Sequence, residues 1–415
     1  MIPIDLDEVR TLDLGEVEGD GELTGVLIDS RLAGPGDLFV AVGRGAEFVA
    51  DAHRRGAATL VPRDAFAALA AVARLVRDRS DARVVGITGS TGKTSTKDIL
   101  AALCAPVARV VASEQSFNNE LGVPLTVCRL EPDTDVLVVE MGMRGFGQIA
   151  ELCAYVRPDV GVITAIGPAH LELVGDVEGV ARAKGELLAA LPPGSAAVVP
   201  SAATGLEPLL RDDLDVRRVP AVADADLRRD ADGATIGFRD HVIRFPLTAA
   251  HQLQNALAAL EAYDALGLPL DRAEEGAAQV AVSRWRGEEL PLPGGGVAIN
   301  DAYNANPDSL RAALLHLRER AGHGRALAVL GGMAELGDHA PAYHAELREL
   351  AESLGIEVVA VGELGRLYGA DDWVPDAEAA LERVERLVRP GDTVLVKASR
   401  AVGLEGVAPT LANSA

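Results

Sequence analysis

Residues 86–100, with the sequence GITGSTGKTSTKDIL, decide the fold of this chain. The apolar run VVGIT at 84–88 is typical of a buried strand, and TSTKDILAALCA at 94–105 is typical of a helix. Glycines between a strand and a helix let backbone N–H groups turn inward around phosphate oxygens, and the helix N-terminus adds a partial positive charge. The stretch therefore predicts a phosphate-binding loop in an α/β domain.

The loop itself, from Thr88 to Thr94, has the pattern T-G-x-x-G-K-T. It departs from the strict G-x-x-x-x-G-K-[ST] pattern, because Ile87 stands where that pattern begins with glycine. We expect the Lys93 ammonium to meet the β- and γ-phosphates of a nucleotide and the Thr94 hydroxyl to bind Mg²⁺. The alternative is an ordinary glycine-rich turn, which GKT at this junction disfavours. The candidate nucleotide-binding residues of the loop are Thr88, Gly89, Ser90, Thr91, Gly92, Lys93, Thr94 and Ser95.

Strand-like and helix-like segments alternate after the loop. DVLVVEMG (135–142) and DVGVITAIG (159–167) are apolar enough for buried strands, and the helical segment EGVARAKGELLAAL (178–191) follows the second. This alternation predicts a mainly parallel sheet with helices on both faces. Residues 224–248 instead predict antiparallel hairpins around an Asp-Gly turn, and the helix-like segment 251–267 follows them.

The length of 415 residues predicts about three domains, at roughly 100–200 residues each. A second alternating α/β series begins after PLPGGG (291–296), which is typical of a turn-rich linker. The first 79 residues form a separate group of strands and helices before the phosphate-loop strand. The predicted domains are therefore 1–79, 80–290 and 291–415.

Composition and charge exclude several classes of protein. With 48% hydrophobic and 24% charged residues, the chain is neither disordered nor fibrous. Its formal charge of −23 disfavours nucleic acid and anionic membranes as partners. The three cysteines show no metal-type spacing, the start lacks a signal-peptide pattern, and no run approaches the roughly 18–20 apolar residues of a membrane helix. We therefore expect a protein of the reducing cytoplasm.

T-G-S-T-G-K-T resembles the phosphate loop of the Mur ligases, and further segments resemble the same family in the same order. These segments are QSFNNELGVPLTV (115–127), VVEMGMRGFGQIAEL (138–152), AHLE (169–172), ARAKGE (181–186), NDAYNANPDSL (300–310) and GGMAELG (331–337). The resemblance covers roughly residues 25–400. It implies a small N-terminal α/β domain that binds a UDP-linked substrate, a central phosphate-loop ATPase domain and a C-terminal Rossmann-like domain.

The resemblance also implies a site for ATP and two Mg²⁺ ions. Glu140, at the end of an apolar strand, and Thr94 are the implied ligands of one ion; hard oxygen donors suit Mg²⁺. His170 and a carbamylated Lys184 are implied for the second ion. Taken alone, His170 is more typical of a structural histidine and Lys184 of a solvated helix lysine. The candidate catalytic residues are Lys93, His170 and Lys184.

Further residues are implied to contact the nucleotide. Asn255 matches a residue that contacts adenine, and Arg286 matches an arginine that reaches the terminal phosphate across a domain boundary. Asp301 is implied to bind the ribose, with Tyr303 and Asn304 near the adenine. Taken alone, Asn255 could be a polar residue near a helix start, and Arg286 could be a surface arginine near a linker.

Seven residues are implied to contact the other substrates: Asp29, Ser30, Arg31, Asn118, Asn119, Lys397 and Arg400. The first three form the DSR element near the uridine, and the two asparagines border the phosphates and the substrate carboxylate, although they could simply cap a turn. The last two belong to a K-x-S-R element. After it, AVGLEGV (401–407) replaces the family's Met-rich segment, and the N-terminal domain is short.

The activity implied is ATP-dependent amide-bond formation in cell-wall synthesis. NDAYNANP and MAELG point, within the family, to the branch that adds D-alanyl-D-alanine to UDP-MurNAc-tripeptide through an acyl phosphate, giving the pentapeptide precursor. We expect small-molecule substrates and a monomer. Three alternatives remain: a ligase of the same fold with another acid and amine, a catalytically silent partner subunit, and a phosphate-loop kinase or GTPase. The chain has no GTPase-type N-K-x-D element at the expected place, which disfavours the last.

Overall fold

The computed structural model describes residues 1–202 and 205–414, which form three successive α/β units. The first unit is built on a four-stranded sheet with the order β2-β6-β5-β4. Its strands are β1 (Ile4–Asp5), β2 (Gly15–Glu18), β3 (Glu22–Leu23), β4 (Gly25–Leu27), β5 (Asp37–Val40) and β6 (Ala58–Pro62). Its helices are α1 (Leu6–Thr11), α2 (Val49–Arg54) and α3 (Ala65–Arg77).

The central unit has a six-stranded parallel sheet with the order β12-β11-β10-β7-β9-β8. The strands of this unit are β7 (Arg83–Thr88), β8 (Val110–Ala112), β9 (Val136–Glu140), β10 (Val160–Ile163), β11 (Ala196–Pro200), β12 (Asp215–Val219), β13 (Leu227–Asp230), β14 (Gly233–Phe238) and β15 (His241–Phe245). Its helices are α4 (Lys93–Cys104), α5 (Gly122–Val127), α6 (Gln148–Val156), α7 (Leu171–Val174), α8 (Val177–Ala190), α9 (Ala250–Ala265) and α10 (Ala273–Ala277).

The position of β7 within this sheet fixes the position of the site. It pairs with β10 on one side and β9 on the other, and all three strands run in the same direction. Their carboxyl ends therefore meet at one edge, where sites of parallel α/β sheets form. The predicted parallel sheet is confirmed, and so are the predicted hairpins, because β13, β14 and β15 form a separate antiparallel sheet.

The third unit has a six-stranded sheet with the order β16-β17-β21-β18-β19-β20. Its strands are β16 (Glu288–Pro291), β17 (Val297–Asn300), β18 (Ala326–Gly331), β19 (Ile356–Val361), β20 (Trp373–Val374) and β21 (Thr393–Lys397). Its helices are α11 (Pro307–Ala321), α12 (Ala340–Ser353), α13 (Ala377–Leu387) and α14 (Val407–Asn413). All pairings in this sheet are parallel except that of β16 with β17.

PLPGGG is not a linker, and that prediction was wrong. Pro291 pairs with Val297 across an antiparallel hairpin, and the glycines at 294–296 form its turn with φ between 79° and 96°. Such φ values are easy only for glycine, which explains the run of three. The predicted domain limits at 79 and 290 stay predictions, and β16 lies across the second of them.

Two expectations about the chain's environment can be compared with the structure. Cys104, Cys128 and Cys153 are buried and free, and burial raises the pKa of each thiol to about 12, as expected for inert core cysteines. No helix in the two described stretches, 1–202 and 205–414, combines the length and apolar character that a membrane span requires.

His344 of α12 is a buried histidine that holds the GGMAELG loop. Its Nε2 accepts a hydrogen bond from Met333 N at 3.0 Å, and its Nδ1 donates to Ala340 O at 2.6 Å. The two contacts together require the neutral ring with its proton on Nδ1, because Nε2 must keep its lone pair to accept from Met333 N. Burial lowers the pKa of His344, which favours that neutral form.

The stability contributed by His344 should therefore depend on pH. Its pKa is about 6.5 in the unfolded chain and lower in the folded one, so its contribution is complete above pH ~6.5 and is lost as pH falls. His344→Gln should unfold more easily than the wild type at pH 8, and the gap in free energy of unfolding should narrow towards pH 5. Urea denaturation at several pH values measures the gap. A gap that stays constant over this range would contradict the assignment.

Candidate active site

The phosphate loop joins β7 to α4 and requires its glycines. Gly89 and Gly92 have φ values of 153° and 81°. A Cβ atom on Gly89 would lie 1.9 Å from Thr164 Oγ1, and one on Gly92 would lie 2.2 Å from Asn255 Oδ1. The Asn255 side chain, which was predicted near the adenine, therefore lies against the loop at Gly92. Lys93 Nζ donates to Gly89 O at 2.7 Å, so the ammonium lies over the loop, and burial lowers its pKa.

Glu140 is the buried carboxylate at the centre of the site. It ends β9 with 1% of its surface exposed. Thr94 Oγ1 donates to Oε2 at 2.6 Å, and Asn118 Nδ2 donates to Oε1 at 2.7 Å. The backbone N–H of Glu140 donates to Ser113 Oγ at 3.1 Å. Each carboxylate oxygen therefore has a donor, as a buried charge requires.

Ser116 connects this carboxylate cluster to the third unit, and the sequence prediction missed it. Its Oγ lies 3.1 Å from Thr94 Oγ1 and accepts a hydrogen bond from Arg286 Nη2 at 2.7 Å. The Arg286 guanidinium also lies over the Tyr303 ring, 4.0 Å from its centroid. The only sequence signal for Ser116 was its place in QSFNNELG, between the phosphate-loop helix and the predicted Asn118.

Asn119 has a different task from Asn118. Its Oδ1 accepts from Gly122 N at 3.0 Å and from Leu121 N at 3.3 Å, at the start of α5. Asn119 therefore caps the turn that leads into α5, the role that the sequence left open for both asparagines. Asn118 turns towards Glu140, whereas Asn119 supports the loop that carries Asn118.

Lys184 is buried, and the expectation of a solvated helix lysine was wrong. It lies on α8 with 1% of its surface exposed. Its pKa lies well below the usual value for lysine because of burial and, secondarily, because of the positive charge on Lys93. The neutral amine is the form that reacts with CO₂. The position of Lys184 is therefore compatible with the carbamylation implied by the family resemblance.

His170 meets a carboxylate from the third unit. Its Nδ1 lies 2.5 Å from Glu335 Oε2 in the GGMAELG loop, and this hydrogen bond lowers the pKa of Glu335. Both residues have left-handed backbone, with φ of 58° and 61°. The contact leaves Nε2 as the nitrogen of His170 that could face a metal ion. The sequence contained both AHLE and GGMAELG but gave no sign that they touch.

The donor set fits Mg²⁺ in its chemistry. Thr94 and Glu140 provide a hydroxyl and a carboxylate in contact, and Mg²⁺ commonly takes one or two protein oxygens while phosphates and water complete its coordination. Within residues 1–202 and 205–414, no three His, Cys, Asp or Glu side chains form a metal-binding group. The two oxygen donors of Thr94 and Glu140 would suit an ion that binds together with a nucleotide.

Asp301, the residue predicted to bind the ribose, forms an ion pair with the buried Lys397. Lys397 Nζ donates to Asp301 Oδ2 at 2.6 Å and to Asn304 O at 2.9 Å. Lys397 is 2% exposed. It was predicted with the substrate residues, and the structure places it against the predicted ribose residue. Arg400 lies over the Trp285 ring, 4.7 Å from its centroid, with the Tyr303 ring 5.9 Å away.

Asp29, Ser30 and Arg31 lie in the first unit, at a tight turn. Asp29 accepts from the backbone N of Arg31 at 3.0 Å and from Arg31 Nη2 at 2.6 Å. Asp29 therefore caps the 3₁₀ turn Ser30–Leu32, which follows the end of β4 at Leu27. No hydrogen bond among the described residues links these three side chains to the phosphate loop.

Two family models and several known proteins are similar to this chain. Residues 87–263 match the model of the Mur ligase middle domain, and residues 285–400 match the Mur ligase glutamate ligase domain. A relative from Escherichia coli K12, named UDP-N-acetylmuramoyl-tripeptide–D-alanyl-D-alanine ligase, is 31% identical over 99% of both chains. The chain belongs to the Mur ligase family. This membership confirms the predicted three-domain α/β architecture.

A further relative and two solved structures are also similar to this Mur ligase. A Mycobacterium bovis protein with the same name is 36% identical over 77% of this chain and 70% of its own. The crystal structure of MurF from Acinetobacter baumannii has a TM-score of 0.86, at 27% identity over 99% of both chains. MurF from Thermotoga maritima in complex with ADP has a TM-score of 0.82, at 27% identity over 94% of this chain and 97% of its own.

The Asp301–Lys397 pair gives a prediction that separates stability from nucleotide affinity. Asp301→Asn should raise the KM for ATP and destabilise the fold by about 3 kcal/mol, because it leaves a buried ammonium without its counter-charge. In the double variant Asp301→Asn/Lys397→Met the stability should largely return, while the KM stays high. Thermal unfolding and initial rates measure the two effects. A double variant with normal KM would exclude Asp301 from the nucleotide site.

Lys184 gives a second prediction. In [¹³C]bicarbonate, ¹³C NMR should show a carbamate signal that Lys184→Arg lacks, because a guanidinium is not carbamylated. Lys184→Ala should lose about a hundredfold or more in ligation rate. Formate or acetate should restore part of that activity by supplying a carboxylate. Circular dichroism should show the helix retained, since alanine favours helices. Full activity in Lys184→Arg would contradict the carbamate.

Proposed function

We propose that this Mur ligase adds D-alanyl-D-alanine to UDP-MurNAc-tripeptide in an ATP-dependent reaction. The observation that carries the proposal is the hydrogen-bonded chain Glu140–Thr94–Ser116–Arg286, which joins a phosphate loop to the start of the third unit. It gathers a carboxylate, two hydroxyls and a guanidinium where a triphosphate would lie. The substrates follow from relatives that carry this name and match nearly the whole chain.

The chemistry explains why a ligase needs these groups. Joining a carboxylate to an amine in water is uphill, so the terminal carboxylate of the tripeptide is first converted to an acyl phosphate at the expense of ATP. The amine of D-alanyl-D-alanine then attacks the carbonyl carbon, and phosphate leaves from the tetrahedral intermediate. The protein must bring two anions together and stabilise the charge on the phosphoryl group being transferred.

Particular side chains meet those needs. Lys93, from the loop, and Arg286, from the crossing to the third unit, would provide positive charge for the phosphates. Thr94 and Glu140 would hold Mg²⁺, which neutralises phosphate charge when it is bound. Asn118 fixes the rotation of the Glu140 carboxylate through its hydrogen bond at 2.7 Å. We propose His170 and a carbamylated Lys184 as holders of a second Mg²⁺.

Contacts between the central and third units would help to keep water away from an acyl phosphate. Glu335 of the third unit contacts His170, and Arg286, in the segment that leads into the third unit, contacts Ser116. An acyl phosphate that reached water would be hydrolysed without forming a peptide bond, and closure prevents this loss. We further propose a cytoplasmic monomer, with Asp29, Ser30 and Arg31 near the uridine.

ADP release tests the function directly. The purified protein should release ADP rapidly only when UDP-MurNAc-tripeptide and D-alanyl-D-alanine are both present, and either one alone should give little. Tripeptides with lysine or diaminopimelate at the third position should be assayed separately. Lys93→Ala, which should retain the fold, is the control and should lose about a hundredfold in rate, equivalent to ~3 kcal/mol. Turnover only with other acids and amines would indicate a ligase of different specificity.

A further inference from the structure

The amide side chain of Asn306, in the third unit, makes a hydrogen bond to the phosphate loop. This residue precedes α11, and its Nδ2 donates to the backbone carbonyl of Ser90 at 3.1 Å. Ser90 lies in the middle of the phosphate loop and is 216 residues away from Asn306 in sequence. The family resemblance drew attention to the segment NDAYNANPDSL but assigned nothing to this asparagine.

The orientation of the Asn306 amide is fixed by α11. Its Oδ1 accepts from Ser309 N at 2.9 Å, while its own backbone N donates to Ser309 Oγ at 3.0 Å. This is a reciprocal helix cap, and it requires the amide oxygen to face the helix. The NH₂ group must then face Ser90. One side chain therefore caps a helix of the third unit and holds a carbonyl of the central unit.

The central unit holds the other polar groups of Ser90. Ser90 N donates to Ala165 O at 2.9 Å, and the Ser90 hydroxyl exchanges hydrogen bonds with the backbone N and O of Gly167, each at 3.0 Å. The Ser90 carbonyl is the group that turns to the third unit. A neighbouring contact supports the docking: a Cβ atom on Gly167 would lie 1.7 Å from Asp308 Oδ2, in the first turn of α11.

The direction of this carbonyl has a consequence for the loop. In a trans peptide the C=O of Ser90 and the N–H of Thr91 point in opposite directions, and the described residues contain no cis peptide bond. Holding the carbonyl towards Asn306 therefore turns the Thr91 N–H away from the third unit. A phosphate loop works through backbone N–H groups that point inward, and a carbonyl turned inward would repel phosphate oxygens.

We propose that Asn306 is a positioning residue that sets the Ser90–Thr91 peptide plane, so that the phosphate loop takes its binding orientation when the third unit is docked. The inference rests on the proposed function only in requiring a nucleotide at this loop. It does not depend on which acid and amine are joined. The third unit would thereby contribute to phosphate binding through the backbone of the loop.

Two variants separate this role from helix capping. Asn306→Ser keeps a capping hydroxyl but is too short to hold Ser90, and Asn306→Asp keeps the cap but has no donor. Asp376 provides the matched control, because it caps α13 in the same unit by accepting from Ala379 N at 2.9 Å. Asp376→Ser should change thermal stability about as much as Asn306→Ser does.

The first measurement is hydrogen–deuterium exchange of the protein without any ligand. Exchange in a peptide covering residues 88–95 should be roughly fivefold faster in both Asn306 variants than in Asp376→Ser, the effect of losing one ordinary hydrogen bond. The second is calorimetric titration with ADP alone, where Asn306→Ser should bind roughly fivefold more weakly than the control. Both assays omit the acid and the amine, so a wrong substrate assignment cannot affect them.

The outcomes decide the proposal. Faster loop exchange and weaker ADP binding in Asn306→Ser, with Asp376→Ser like the wild type in both, would support it. Loop exchange and ADP affinity equal to those of the control would overturn it. So would a loss of protection confined to α11, because Asn306 would then act only as its cap.

Discussion

The buried carboxylate of Glu140 is the constraint around which the active site is built. An ionised group with 1% of its surface exposed is tolerable only if every oxygen has a donor, and Thr94 and Asn118 supply them. Those two donors come from different segments, Thr94 from the first turn of α4 and Asn118 from the loop before α5. The hydrogen bonds to this one carboxylate therefore fix the phosphate loop, the loop that carries Asn118 and the end of β9 relative to one another.

Short sequence patterns were enough to predict the part of this site that is formed by a strand and the loop that follows it. The phosphate loop, the parallel sheet and Glu140 at a strand end all follow from short runs of sequence, because strand ends and glycine turns are local features. PLPGGG was mistaken for a linker because three glycines serve a tight hairpin and a linker equally well; only the pairing of β16 with β17 distinguishes them.

What the sequence could not predict depends on packing between distant segments. Lys184 has the neighbours of an ordinary helix lysine in sequence, and only the position of α8 beside the loop makes it buried. Ser116, Glu335 and Asn306 have no local signature either, since their partners are 22, 165 and 216 residues away. The roles of the candidate site residues in binding and catalysis stay proposals that these contacts support.

The hairpin of β16 and β17 also determines the mechanics of the molecule. Since β16 is part of the third sheet, the chain crosses from the central unit only between Ala277, which ends α10, and Glu288, which begins β16. Arg286 stands two residues before that strand, whereas Asn306 precedes α11 and Glu335 follows β18, both within the third unit. During rotation an atom moves in proportion to its distance from the axis. If the third unit rotated about this crossing, the Asn306–Ser90 hydrogen bond would break, while the backbone of Arg286, next to the crossing, would move less.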